Sequence, residues 1–218
     1  MNPYHFQNVS YFTQILPVIA SIFYSRHLSG SSMVFSYYLV ISLVSTALNT
    51  YLAVHKIHNL WALNLFMPIQ FGMLAYYLSF YVGSSLRRAV IWSIPSFLFL
   101  WLINFLLLES IFTFSTYAKP LECAFLTVIA SVVLFTNYRR ELIPVWSNPP
   151  FWIATGIMLY FSSIAVLFSM SASLLKVSSE TLRIVFSTQA VIAILANFSY
   201  ISGILCLRRQ AKYSGQPL

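Results

Sequence analysis

No aspartate occurs anywhere in this chain, and its four acidic residues are all glutamates. That absence rules out an aspartyl dyad and any metal cage built on aspartate. The two cysteines, Cys123 and Cys206, fall near opposite ends of different apolar runs, far beyond the ~7 Å Cα separation that a disulfide tolerates. Neither belongs to a CxxC pair, so they carry no redox or metal signal. All four histidines fall at the ends of expected helices, which excludes a pair of mid-membrane haem ligands. There is no GxSxG, HExxH or P-loop motif, and the last apolar run has no lysine for a Schiff base of the usual placement. The expectation is a protein without catalytic activity and without a cofactor.

Charge is scarce as well, at 7% of residues, whereas 59% are hydrophobic and the mean hydropathy is +0.79. Such values lie outside the range of soluble domains and mark a membrane protein. Seven apolar runs, near 9–25, 33–54, 59–82, 89–108, 118–137, 151–173 and 182–207, are each long enough to cross the ~30 Å hydrocarbon core at 1.5 Å per residue. The fold class read from them is all-α, a single domain of seven transmembrane helices over residues 1–218, with no segment left over for a soluble domain. The start, MNPYHFQNVSYF, lacks the basic region of a secretory signal, so the first run reads as a retained span.

Sorting the twelve basic residues by loop places eight on one side and four on the other. The eight are Arg26, Arg87, Arg88, Arg139, Arg140, Arg208, Arg209 and Lys212, and the four are Lys56, Lys119, Lys176 and Arg183. The positive-inside bias then puts the N-terminus outside and the C-terminus in the cytoplasm. The net charge of +8 is explained by topology and by contact with anionic lipid headgroups, so membrane lipids are expected partners. The basic residues come in isolated pairs, which argues against nucleic acid.

Polar side chains inside the spans are the remaining signal. The third run, His55 to Tyr81, holds Asn59, Trp61, Asn64, Pro68 and Gln70. Pro68 has no N–H to give the Asn64 carbonyl, and a freed carbonyl is tolerated at membrane depth only where protein or water satisfies it. This helix is therefore expected to face the bundle interior. In the second run Tyr38, Ser42, Ser45 and Asn49 share one face. In the sixth, Trp152, Gly156, Tyr160 and Ser163 do, and Gly156 suits a close helix crossing. In the seventh, Gln189, Ala193, Asn197 and Tyr200 form a stripe. Pro149 and Pro150 read as the end of the preceding loop.

Asn49, Asn59, Asn64, Asn104, Glu122 and Gln189 all fall in outer halves, with Gln70 and Tyr160 near mid-depth. Converging faces would make an outward-opening pocket, and its candidate ligand-binding residues are Asn49, Asn64, Gln70, Asn104, Glu122, Tyr160 and Gln189. The competing reading is interhelical hydrogen bonding, worth about 0.6 kcal/mol per bond. Glu122 is the one acidic residue inside a span, a functional candidate by default, yet it stands near the interface and can pair with Lys119 at i and i+3. His5, His55 and His58 share the outer side, but the pattern suits interfacial residues better than a metal site.

Three stretches carry a resemblance: Asn59 to Phe71 (NLWALNLFMPIQF), Lys119 to Glu122, and Pro150 to Phe161 (PFWIATGIMLYF). Together they resemble a family of small seven-span bacterial membrane proteins of the Bacteroidota type, and the layout matches over nearly the full chain. The resemblance implies a seven-helix fold in a bacterial inner membrane and brings no catalytic residue. The family favours an acidic residue where this chain has Gln70, which removes charge from that position.

These observations lead to a receptor-like or sensory membrane protein, binding a small or lipidic ligand in an outward-facing pocket. Its loops are too short for an output domain, so it would act through a membrane or cytoplasmic protein partner. The alternatives are a small-solute transporter or channel, which needs a polar path to the cytoplasmic face, and a structural subunit of a larger membrane complex, which needs no cavity.

Overall fold

The structure is a computed structural model and describes residues 4–25, 30–140, 145–169 and 179–214. Residues 170–173 of the sixth expected span, together with Arg26, Pro144 and Lys176, lie outside the described residues. Among the described residues seven long helices form and no strand does: α1 Tyr4–Phe23, α2 Ser31–Val54, α3 Leu60–Ser79, α4 Ser84–Ile103, α5 Ala118–Arg140, α6 Pro149–Ser169 and α7 Ser179–Ser214.

Five segments are long and apolar enough to cross a membrane: Ser31–Val54, Ser84–Leu108, Ala118–Thr136, Pro149–Ser169 and Ile184–Leu207. By length and composition this is a helical, multi-pass membrane protein. The apolar part of α1, Val9–Phe23, is shorter, and α3 is diluted by Asn64, Pro68, Gln70, Tyr76 and Tyr77. The surface fits the same class, since Phe12, Trp92, Leu106 and Leu107 are each more than two-thirds exposed.

Helix ends follow from local chemistry. Lys56 adopts φ 57° just past the end of α2, where its N–H donates to Ala53 O and that of Ile57 to Leu52 O. That is a Schellman stop, with a lysine in the left-handed position that glycine usually fills. Pro149 and Pro150 do not end the loop as the sequence reading had it. They are the first two residues of α6 and are buried, because proline lacks only an N–H that the first turn leaves unpaired anyway.

Packing sets the helix order. α1 lies between α2 and α7, α6 lies between α5 and α7, and α3 packs against α2, α4 and α5. Six helices therefore form a ring in the order α1, α2, α3, α5, α6, α7. α4 sits outside it, packed on α3 and α5. Burial agrees: α3 buries ten of its twenty residues, whereas α4 buries only Val90 and Phe97. Ser31 at the start of α2 meets Tyr81 just past the end of α3, Oγ to hydroxyl 2.8 Å, so these two helices run antiparallel.

In lipid the hydrophobic effect does not draw helices together, so close van der Waals contact must. At Gly156 an added Cβ would stand 2.6 Å from Tyr200 Cε1 and 3.0 Å from the Ala196 carbonyl. At Gly203 it would stand 2.6 Å from Ile153 Cγ1. The expected close crossing at Gly156 is thus between α6 and α7. One half of the ring is filled by Phe71, Leu74, Leu78, Leu126, Ala130, Val133, Ile153, Ile157 and Ile204, each at most 1% exposed. The other half is not filled.

Candidate functional site

The open half of the ring is a cavity of about 730 Å³. Its lining comes from the middle of α1 (Ser10, Tyr11, Gln14), from the N-cap and first half of α3 (Asn59, Leu63, Asn64, Met67, Gln70) and from the start of α5 (Lys119). It comes equally from α2, from Tyr38 in its first half through Ser42 and Ser45 to Asn49 in its later turns, and from the later turns of α6 (Tyr160, Ile164, Phe168), with Ala193, Ala196, Asn197 and Tyr200 of α7. Starts of odd-numbered helices and ends of even-numbered ones share one side of an alternating bundle, so the cavity belongs to that side.

Four of the seven candidate residues line it together: Asn49, Asn64, Gln70 and Tyr160. Glu122 does not reach the lining but stands one contact behind it. Asn104 is in the connection from α4 to α5, where its Nδ2 donates to Glu109 Oε2 at 2.8 Å. Gln189 lies about one turn beyond Ala193 on the same stripe of α7, outside the lining.

Deep in the cavity a hydrogen-bonded chain crosses four helices. Lys119 Nζ donates to Glu122 Oε2 at 2.6 Å and to Gln70 Oε1 at 3.0 Å. Gln70 Nε2 donates to the Tyr38 hydroxyl at 3.2 Å, and Gln14 Nε2 of α1 donates to Ser42 Oγ, one turn along α2, at 3.0 Å. Asn197 of α7 joins α1 separately, Nδ2 to Thr13 Oγ1 at 3.1 Å.

Glu122 stands about one turn into α5, as its place in the sequence implies, but it is not on the surface. It is fully buried, whereas the Lys119 side chain retains 16% exposure. Lys119, read from the sequence as a loop charge, is the cavity's cation. The i, i+3 spacing was a signal for the pair itself, but nothing local reported that α3 would supply Gln70 to hold it.

Asn64 does two things at the rim. Its Nδ2 donates to the carbonyls of Ile111 and Thr113, at 2.8 and 3.0 Å, and so ties the α4–α5 connection to α3. Its own carbonyl, freed by Pro68, accepts from Trp101 Nε1 at 3.1 Å, so the expected need for a protein partner is met by α4. Beside Asn64 the Phe114 and Phe168 rings stack, centroids 4.5 Å apart, in the cavity wall. Neither had been a candidate: Phe114 is in a connection, which has no periodicity to betray its face, and Phe168 is one apolar residue among many on α6.

The connection is folded around Glu109. Its carboxylate accepts from Asn104, from Ser115 Oγ at 3.3 Å, and from the N–H and hydroxyl of Thr116, the former at 2.8 Å. Burial alone would raise its pKa, but the donors of Asn104, Thr116 and Ser115 outweigh that and hold the carboxyl below its ordinary value.

Among the described residues no three histidines, cysteines or acids cluster as metal ligands. Among the described residues the cavity lining contains no carboxylate, thiol or imidazole. Compared with protein-family models, with curated proteins and with solved structures, the chain matches none.

Proposed function

We propose that this is a receptor-like membrane protein that binds a small or lipidic ligand in the cavity and acts through a partner protein. In this reading all seven helices span the inner membrane of a bacterium, as the family resemblance implies, with the cavity facing outward. The observation that carries it is the one-sided cavity: a space open on one side, with polar side chains from six helices, closed beneath by a packed apolar layer. A volume of about 730 Å³ is of the size that holds a small organic molecule. Orientation is supported by charge. With Lys119 inside the bundle, Lys56, Lys176 and Arg183 are what remains of the four basic residues that the sequence assigns to the cavity side, against eight on the other.

A transporter draws on the same cavity and is the second reading. The feature that favours it is Pro68, two residues from Gln70, where α3 already lacks one backbone hydrogen bond. It requires the apolar layer of Phe71, Leu74, Ile157 and Ile204 to part, and these residues are at most 1% exposed. A purely structural subunit would pair its polar faces and leave no such space.

The test is mass spectrometry of small molecules that co-purify with the protein, compared with a Ser45→Phe, Ala193→Phe variant that fills the cavity from α2 and α7. A species enriched on the wild type and lost from the variant supports a binding site. Identical bulk lipid on both proteins rejects it.

A further inference from the structure

We propose that the cavity takes an amphipathic molecule whose head is a hydrogen-bond-accepting oxygen, a carboxylate or a neutral carbonyl, seated on the Lys119 ammonium. The proposal rests on the cavity being a ligand site and names the ligand's chemistry. An ammonium has three donors and no acceptor. Lys119 gives one to Glu122 and one to Gln70, and its partly exposed side chain lies in the cavity wall. Its other contact among the described residues is the Phe161 ring, whose centroid is 5.9 Å from Nζ, so the third hydrogen-bond donor is left for an occupant.

Its surroundings offer the same polarity. Tyr160 lines the cavity, and its hydroxyl makes no hydrogen bond among the described residues. Tyr200 also borders the cavity, is only 5% exposed, and has a hydroxyl without a partner among the described residues. Of the acceptors nearby, Gln70 Oε1 is engaged by Lys119, the Tyr38 hydroxyl by Gln70 and Ser42 Oγ by Gln14, while Glu122 Oε1 is unpartnered among the described residues but fully buried behind Lys119, and Asn49 Oδ1 is unpartnered among them and buried on α2. The floor therefore has donors to give and few acceptors to spare.

This polarity selects among heads. A cationic head would meet the Lys119 ammonium first, since Glu122 is fully buried behind it and no other carboxylate among the described residues reaches the lining. Like charges repel strongly away from water. A molecule with no head at all would exclude water from the third ammonium donor and leave it unmet, which is costly. An oxygen acceptor completes the ammonium's set and places the rest of the molecule against Leu39, Leu63, Met67 and Ile164 of the same wall.

The experiment uses the full chain in lipid nanodiscs and three probes with the same tail: dodecanoate, methyl dodecanoate and dodecylammonium. Retention is measured by native mass spectrometry and binding by titration. At least one oxygen-headed probe should bind about tenfold or more tighter than dodecylammonium, the usual worth of one charge-assisted hydrogen bond. Preference for the acid over the ester identifies an anionic head, and equal binding identifies a neutral carbonyl. Tyr160→Phe should weaken the oxygen-headed probes severalfold.

Lys119→Met alone strands Glu122, so the Lys119→Met, Glu122→Leu variant, which removes both charges, is the decisive one. It should reduce oxygen-headed binding to the dodecylammonium level. Equal binding of all three probes, or unchanged binding by this variant, overturns the head-group assignment while leaving the cavity as a binding site. Failure of the underlying reading looks different: the wild type binds no probe, or the cavity-filled Ser45→Phe, Ala193→Phe protein binds them as well as the wild type does.

Discussion

Trp101→Phe tests how α3 survives its proline. The indole N–H reaches the Asn64 carbonyl at 3.1 Å, the acceptor that Pro68 cannot serve. Removing the donor leaves a carbonyl unpaired inside a membrane bundle. An unmet buried group costs about 1–3 kcal/mol, and hydrogen bonds between membrane helices measure about 0.6 to 1.7 kcal/mol. The hydrogen-bond part of the change is therefore about 1–2 kcal/mol.

Trp101 also packs against Phe105, with ring centroids 5.4 Å apart, so the smaller ring loses contact energy as well. A double-mutant cycle separates the two terms. In a Pro68→Ala background residue 68 regains its N–H and restores the α-helical bond to the Asn64 carbonyl, so Trp101→Phe should there cost only the packing. Unfolding free energies of the four proteins in mixed micelles should give a coupling of about 1–2 kcal/mol, roughly five- to thirtyfold in the folding equilibrium. If Trp101→Phe costs the same in both backgrounds to within about 0.3 kcal/mol, the Asn64 carbonyl does not depend on Trp101.

Lys119→Met should destabilise by about 3–5 kcal/mol by leaving the Glu122 carboxylate buried and alone, and adding Glu122→Leu should recover most of that loss; denaturant unfolding of the three proteins checks it. Gly156→Ala inserts a methyl 2.6 Å from Tyr200 Cε1 and 3.0 Å from the Ala196 carbonyl, so it should cost about 1–3 kcal/mol and displace Tyr200 at the cavity wall, seen as a lower melting temperature. Glu109 has a folded pKa below its ordinary carboxyl value, so the stability it contributes is present above the unfolded value and is lost as pH falls through the folded one. Hydrogen exchange at the Thr116 amide, corrected for its intrinsic rate, should accelerate below the ordinary carboxylate range in the wild type, and Glu109→Gln should remove that step.

Asn64 shows how far local reasoning reaches. The missing N–H of Pro68 made it certain from the sequence that the Asn64 carbonyl needed a partner. That the partner is Trp101 depended on α4 packing outside α3, which no periodicity reports. The Asn64 side chain was legible as buried and polar, but it holds the carbonyls of Ile111 and Thr113. Asn64→Leu would thus release the α4–α5 connection rather than report on a ligand alone. Asn104 and Gln189 fell in outer halves like the others, yet depth along a helix is a local property and convergence is not. Asn104 serves Glu109, and Gln189 stops short of the lining.

What the sequence determined by itself was whatever depends on one segment at a time. Apolar runs long enough to span a bilayer become helices because lipid leaves backbone groups no other way to be satisfied, and the polar faces of α2 and α7 followed from a period of 3.6. The tertiary structure alone decided that α4 stands outside a ring of six, and that Gln70 of α3 meets Lys119 of α5. It also decided that one half of the ring is packed while the other half is open. These depend on distances between residues far apart in the chain, set by how close Gly156 and Gly203 let two backbones approach and by which donor finds which acceptor once the helices are together.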